Sequence, residues 1–292
     1  MRAMGSARAM TVADLHGLVA HAGANDVLYE DPCLAGRPLF LRSARPRAYS
    51  PRTPVLLVHH GDLRNGADFR DFWLPLVDEA QLLAITLEFS ATAYPGPEWY
   101  NLGNRLDADG REKPREEWTY GVPGRLFAAL CTQGITARRR YGVFGHSSGG
   151  QFVHRMISLG FRGAVAAAAT ANAGTYAMPE LQVAFPFGLG GTQLDEAALR
   201  TLLAFRLTIF AGTADIDTAS PHFPNDAVAM RQGPTRFARA HAYIAAARDA
   251  AKRYGMLCAW TIIDVADVGH DGKQMSEAAA PVLAAALHTS EG

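Results

Sequence analysis

The sequence predicts an α/β domain built on a mostly parallel sheet with helices on both faces. Three observations carry this. Short, wholly apolar runs such as Val55-Leu56-Leu57-Val58 recur along the chain between Gly, Pro or polar turn residues, which is how strands buried on both faces read. Stretches with apolar residues at helical spacing separate them, and strands alternating with helices imply parallel crossovers. One run, Tyr141-Gly142-Val143-Phe144, leads into Gly145-His146-Ser147-Ser148-Gly149 and then a helix start over Gly150 to Ile157. Strand, G-x-S-x-G, helix is the context in which a sharp turn lifts a serine hydroxyl above a sheet edge.

Taken in order, the N-terminus is basic and rich in small residues, and 11–25 reads as a helix. This divides the chain into a tail and helix over 1–26 and a single domain over 27–292. Val27 to Glu30 and Pro38 to Arg42 read as antiparallel strands at a sheet edge. Pro46, Pro51 and Pro54 mark 43–54 as a connection. Pro54 to Gly61 is a buried strand ending in a glycine turn. Phe69 to Ala80 places Phe69, Phe72, Trp73, Leu76 and Val77 at helical spacing, disturbed by Pro75, and Leu82 to Phe89 is the next strand. Residues 90–118 form a long aromatic connection, and so long a connection in a compact domain is commonly functional. A helix over 120–133 and strands over 141–144 and 164–169 follow. A second long loop spans 172–192, before a helix over 194–203 and a strand over 206–211. Residues 226–254 are helical, interrupted at Gly233-Pro234. The last strand covers 258–265 and the closing helix 275–287.

Composition excludes several classes. Lys plus Arg and Asp plus Glu both number 28, without a basic block, so nucleic acid is not an expected partner. No apolar run is long enough to span a bilayer. Asp14, His16 and His21 interrupt what would be a signal-peptide core, so the cytoplasm is the expected location. Cys33, Cys131 and Cys258 lie far apart, as small buried hydrophobes do and as disulfide or zinc frameworks do not. Asp107-Ala108-Asp109-Gly110 faintly suggests a calcium loop, but Arg105 would occupy its first ligand position, so a polar turn is expected.

A serine nucleophile needs a base, and the base an orienting carboxylate. On this architecture they follow the serine as acid and then histidine, each just past a strand end. The strand over 206–211 runs into Gly212-Thr213-Ala214-Asp215-Ile216-Asp217, and the last strand into Val268-Gly269-His270. Ser147, Asp215 and His270 satisfy the order. Asp215 is preferred to Asp217 because it is nearer the strand end. The D-x-D pair lacks the matched carboxylates or phosphate loop that metal or phosphoryl chemistry would use. Oxyanion donors are expected from the backbone N–H of Ser148 and of Asp62, with Leu63 the alternative to Asp62. The Asp62 carboxylate should turn away, onto Arg64 or Arg70. His59 and His60 are neighbours on a strand and point to opposite faces, so they read as buried, hydrogen-bonded histidines; His146 and His154 read as packing residues. Trp99, Tyr176, Phe185 and Phe187 suggest an apolar substrate pocket roofed by the long loops, or equally the packing of those loops.

His60-Gly61, Gly145 to Gly149, Gly212 to Asp215 and Val268-Gly269-His270 together resemble the α/β-hydrolase fold, over residues 54–287. The runs His60 to Asn65, Gly145 to Arg155 and Gln232 to Arg239 resemble bacterial esterases related to polyhydroxybutyrate depolymerases. The resemblance implies hydrolysis of a small carboxylic ester, hydroxyalkanoate-like or aryl, through an acyl-serine, with no metal and no organic cofactor. The expected partner is that small-molecule ester, with no nucleic acid and no membrane; self-association is left open. Amide, lactone or thioester hydrolysis, acyl transfer and perhydrolysis would use the same residues. A non-catalytic ligand-binding protein would not need all three. The secreted polymer-degrading relatives carry a signal peptide, a linker and a polymer-binding module, none of which is read here, so action on an extracellular solid polymer is not expected.

Overall fold

The structure is a computed structural model that describes residues 14–290. Strands β1 (Gly23–Glu30), β2 (Pro38–Arg45), β3 (Val55–His59), β4 (Leu83–Glu88), β5 (Tyr141–His146), β6 (Val165–Ala171), β7 (Leu207–Gly212) and β8 (Thr261–Val265) form one sheet in the order 1-2-4-3-5-6-7-8. The β1–β2 and β2–β4 pairs are antiparallel and every other pair is parallel. The fold is therefore the mostly parallel α/β sheet that the buried apolar runs predict.

The two-residue period of the strands sorts their side chains between two cores. Val55 and Leu57 of β3 face a core shared with α3 (Val122–Thr132), α4 (Ser148–Ser158), α5 (Glu196–Leu203) and α7 (Arg236–Arg253). Leu56 and Val58 face the opposite core, built with α1 (Gly66–Trp73), α2 (Val77–Ala80) and α8 (Gly272–His288). Pro75 separates α1 from α2, and the Gly233-Pro234 break leaves the short α6 (Ala227–Met230) ahead of α7. Thr235 caps α7 and Asp271 caps α8, each accepting a hydrogen bond from an N–H three residues on.

The N-terminal helix is shorter than expected. Only Leu15–Val19 forms a single 3-10 turn, and β1 already begins at Gly23. The Asn25 amide folds back onto His21, accepting from its N–H and donating to its carbonyl, which closes the turn and starts the strand. The tail over 1–13 lies outside the described residues. The cysteines are not the buried hydrophobes expected: Cys131 is exposed on the outer face of α3, and Cys33 and Cys258 are half-buried. Asp107 accepts from the N–H groups of Asp109 and Arg111 in a side-chain-closed turn, and Arg111 pairs with Asp109.

Both long loops are fastened to α4. The Arg155 guanidinium is buried and donates to Asn101 O and Thr175 Oγ1. Gln151 bridges the same two loops, accepting from Asn101 Nδ2 at 2.6 Å and donating to Thr175 Oγ1 at 2.7 Å. No carboxylate among the described residues partners Arg155, and burial pushes its pKa down to about 10.

Candidate active site

The carboxyl ends of β3, β5, β7 and β8 lie along one edge of the sheet, so the loops that follow them converge. Ser147 stands between β5 and α4 with φ +56° and ψ −120°, a backbone conformation strained for any residue with a side chain. Its own N–H is held by Ala171 O of β6. The flanking glycines are dictated by space. A Cβ on Gly145 would run into the Gly149 carbonyl, and one on Gly149 into the carbonyls of His59 and His60. The turn can be this tight only because both lack a side chain.

His270 sits between β8 and α8. Its Nε2 lies 2.9 Å from Ser147 Oγ, and its Nδ1 lies 2.8 Å from Asp215 Oδ2. Because a carboxylate only accepts, Nδ1 carries the proton, and Nε2 is left to accept the serine O–H. Asp215, just past β7, is buried, while Asp217 stands exposed and closes a turn to the Ala219 N–H. Two further residues hold this geometry. Asn172 accepts from Gly212 N–H and donates to Gly269 O, which ties the Asp215 and His270 loops together. Arg236, at the start of α7, donates to Asp215 Oδ1 at 3.4 Å and to His222 O at 3.1 Å. Sequence reasoning missed both; Arg236 lies inside the run 232–239 that carried the resemblance.

Burial keeps His59, His60, His146 and His154 neutral. His60 donates from Nδ1 to Gly61 O and accepts the Phe89 N–H at Nε2, and burial lowers its pKa to about 3. That pair of bonds fixes the Gly61 peptide ahead of Asp62. His59 is buried as expected, but neither ring nitrogen has a partner among the described residues; it stacks on Phe152 instead. His146 packs on His270 with ring centroids 4.7 Å apart, and burial drives its pKa well below the ordinary imidazole range. His154 donates from Nε2 to Thr175 O at 3.2 Å and stacks on Tyr176.

Neither the Asp62 nor the Ser148 N–H donates to another described residue. The Asp62 carboxylate, however, does not turn onto Arg64 or Arg70. It faces Ser148 Oγ at 3.4 Å and His222 Nδ1 at 3.1 Å. Arg64 is held by Phe89 O and Gly96 O, and Arg70 by Asp71 and Asp26, so neither reaches it.

Ser147 and His270 open into a cavity of about 190 Å³ whose walls include Asp62, Leu63, Phe69, Phe72, Ser220 and His222. None of Trp99, Tyr176, Phe185 and Phe187 lines it. Tyr176 is fully buried between His154 and Tyr243, and Trp99 packs under Arg37 and Lys113. Phe187 is held by its carbonyl, which accepts from Met178 N–H and Gln232. Phe185 lines a separate, larger recess of about 370 Å³ with Arg105 and Leu106, where the two long loops meet. Those loops therefore pack on α4 rather than roof Ser147. The apolar wall comes from Phe69 and Phe72 of α1, whose spacing reads as core packing alone; His222 gave no signal beyond following Asp215 on the same loop.

Open sheet, helix layers and a serine at the β5–α4 turn place the chain among the α/β hydrolases. No protein-family model matches it, and no curated protein does. Among solved structures it is similar to LpqC, a poly(3-hydroxybutyrate) depolymerase from Bordetella parapertussis, with 42% identity and a TM-score of 0.86 over 90% of this chain and 90% of that one. Poly(aspartic acid) hydrolase-1 from Sphingomonas sp. KT-1 is 34% identical, with a TM-score of 0.86 over 90% of this chain and 98% of that one. An S-formylglutathione hydrolase from Agrobacterium tumefaciens shares the fold at 17% identity, with a TM-score of 0.56 over 92% and 97% of the two chains. The chain belongs to the poly(3-hydroxybutyrate) depolymerase-related family of α/β hydrolases, and it is a carboxylic ester hydrolase.

Proposed function

We propose that the protein cleaves small carboxylic esters through an acyl-serine intermediate on Ser147. The observation that carries this is the continuous string Ser147 Oγ, His270 Nε2, His270 Nδ1, Asp215 Oδ2, with both links under 3 Å. As Ser147 attacks the ester carbonyl, its proton passes to His270 Nε2. Asp215 holds the tautomer and stabilises the imidazolium. The N–H groups of Ser148 and Asp62 receive the oxyanion; losing one such donor typically costs ~3 kcal/mol of barrier. His270 then protonates the departing alcohol, the ester bond breaks, and water repeats the steps on the acyl-serine to release the acid. A neutral His146 against His270 adds no repulsion to the imidazolium.

The cavity suits a short acyl chain or a small aryl alcohol, and the likeness to a poly(3-hydroxybutyrate) depolymerase supports a hydroxyalkanoate-type ester. The likeness to a poly(aspartic acid) hydrolase supports amide cleavage as the second reading. No helix of the described residues is long and apolar enough to cross a membrane, and cytoplasmic action on a small-molecule substrate, without a metal or organic cofactor, is part of the proposal.

A fluorophosphonate probe tests the reading. It should label the wild type at Ser147, and Ser147→Ala should not be labelled. Nitrophenyl esters beside the matching anilides separate ester from amide cleavage. A folded wild type that takes no label would overturn the proposal.

A further inference from the structure

We infer that the Ser147 cavity selects its substrate by charge. It takes esters that are uncharged beside the scissile bond and turns away those carrying a carboxylate there. This rests on the ester-hydrolase reading above and concerns the residue whose N–H that reading uses, through its side chain.

Asp62 is the carboxylate of the cavity wall, and neither lysine nor arginine lines that wall. Its side chain is turned inward, with one oxygen toward Ser148 Oγ and the other toward His222 Nδ1. It is 54% exposed, so its charge meets whatever enters. The nearby guanidinium groups are committed elsewhere. Arg64 bonds the Phe89 and Gly96 carbonyls over the Tyr100 ring, Arg70 is paired with Asp26 and Asp71, and Arg236 lies buried against Asp215. His222 orients Asp62, its Nδ1 facing Oδ2 at 3.1 Å. Leu63, 72% exposed at the rim, and the Phe69–Phe72 wall give an apolar group its place. An apolar group thus fits against the phenyl rings and a hydroxyl against Asp62 or Ser220. A second carboxylate is repelled, and more strongly between low-dielectric walls than in bulk water.

The test compares 4-nitrophenyl butyrate with the mono-4-nitrophenyl ester of succinic acid, which differs by a terminal carboxylate. Wild type should favour the butyrate by at least about tenfold in kcat/KM at low salt, the ratio shrinking as added salt screens the charges. Asp62→Asn, which keeps the backbone N–H, should cut that ratio by roughly threefold or more, by raising turnover of the succinate ester. Asn65→Lys puts a cation on the same wall without touching residue 62. Asn65 donates to Asp68 Oδ2 at 2.8 Å, so Asp68→Asn accompanies it to leave the new cation unpaired, and the ratio should move the same way. A wild-type ratio near one, or a ratio unmoved in both variants, overturns the inference and leaves the ester-hydrolase reading intact. A wild type that takes neither ester nor the fluorophosphonate label overturns that reading, and this inference with it.

Discussion

His270 Nδ1 lies 2.8 Å from Asp215 Oδ2, on a carboxylate that is wholly shielded while its neighbour Asp217 faces solvent. The two acids therefore predict opposite mutant behaviour. Asp215→Asn presents an amide that can hold the wrong tautomer, and kcat should fall by about 10⁴-fold. Asp217→Asn should leave kcat within roughly twofold, since it alters an exposed turn. Steady-state kinetics on a nitrophenyl ester check both.

Ser147 is held at a positive φ that glycine would accept without cost. Ser147→Gly should abolish ester turnover and raise the free energy of unfolding by ~1 kcal/mol, the strain released at that position. Ser147→Ala should lose activity without that gain. Urea midpoints of the three proteins distinguish these outcomes.

Gly149 has no room for a methyl group, because the carbonyls of His59 and His60 occupy the space. Gly149→Ala should force α4 away from β3, lowering stability by about 3 kcal/mol and taking most of the activity. Gly163, in open space, is the control: Gly163→Ala should be within about 0.5 kcal/mol of wild type. Thermal unfolding measures both.

Four buried histidines set the acid limit. Burial lowers the pKa of His59, His60, His146 and His154, His60 to about 3. Below the ordinary imidazole value of about 6.5 the unfolded chain takes up protons that the folded chain refuses. Their contribution to stability is thus complete above that pH and is lost as pH falls from there toward 3. Each histidine adds a slope of about 1.4 kcal/mol per pH unit. His59→Phe removes one titrating ring that has no hydrogen bonds and keeps its stacking on Phe152. Unfolding free energies at pH 7 and pH 5 should differ less in this variant than in wild type; an unchanged difference would refute the assignment.

What could be read from the chain was whatever depends on local pattern. The apolar runs, the turn around Ser147 and the order of Asp215 and His270 depend on short-range spacing, and the sheet follows from them. Features set across long separations could not be read. Asp62 turns inward because His222 waits 160 residues on, not because of Arg64 beside it. Tyr176 and Trp99 read as pocket aromatics since a ring carries no mark of the side it faces; Tyr176 found His154 and Tyr243, and Trp99 found Arg37. The one-turn helix and early β1 start were hidden because Asn25 and Asp26 mask the strand's alternation.

Arg155 and Gln151 bolt both long loops to the helix that begins beside Ser147. Neither loop can swing without stripping partners from a guanidinium that water does not reach. These two loops are thus no door to Ser147, whose rim is set by Leu63, Ser220 and His222. What crosses that threshold is sorted by the shape and charge of side chains that the Arg155 and Gln151 anchors never touch.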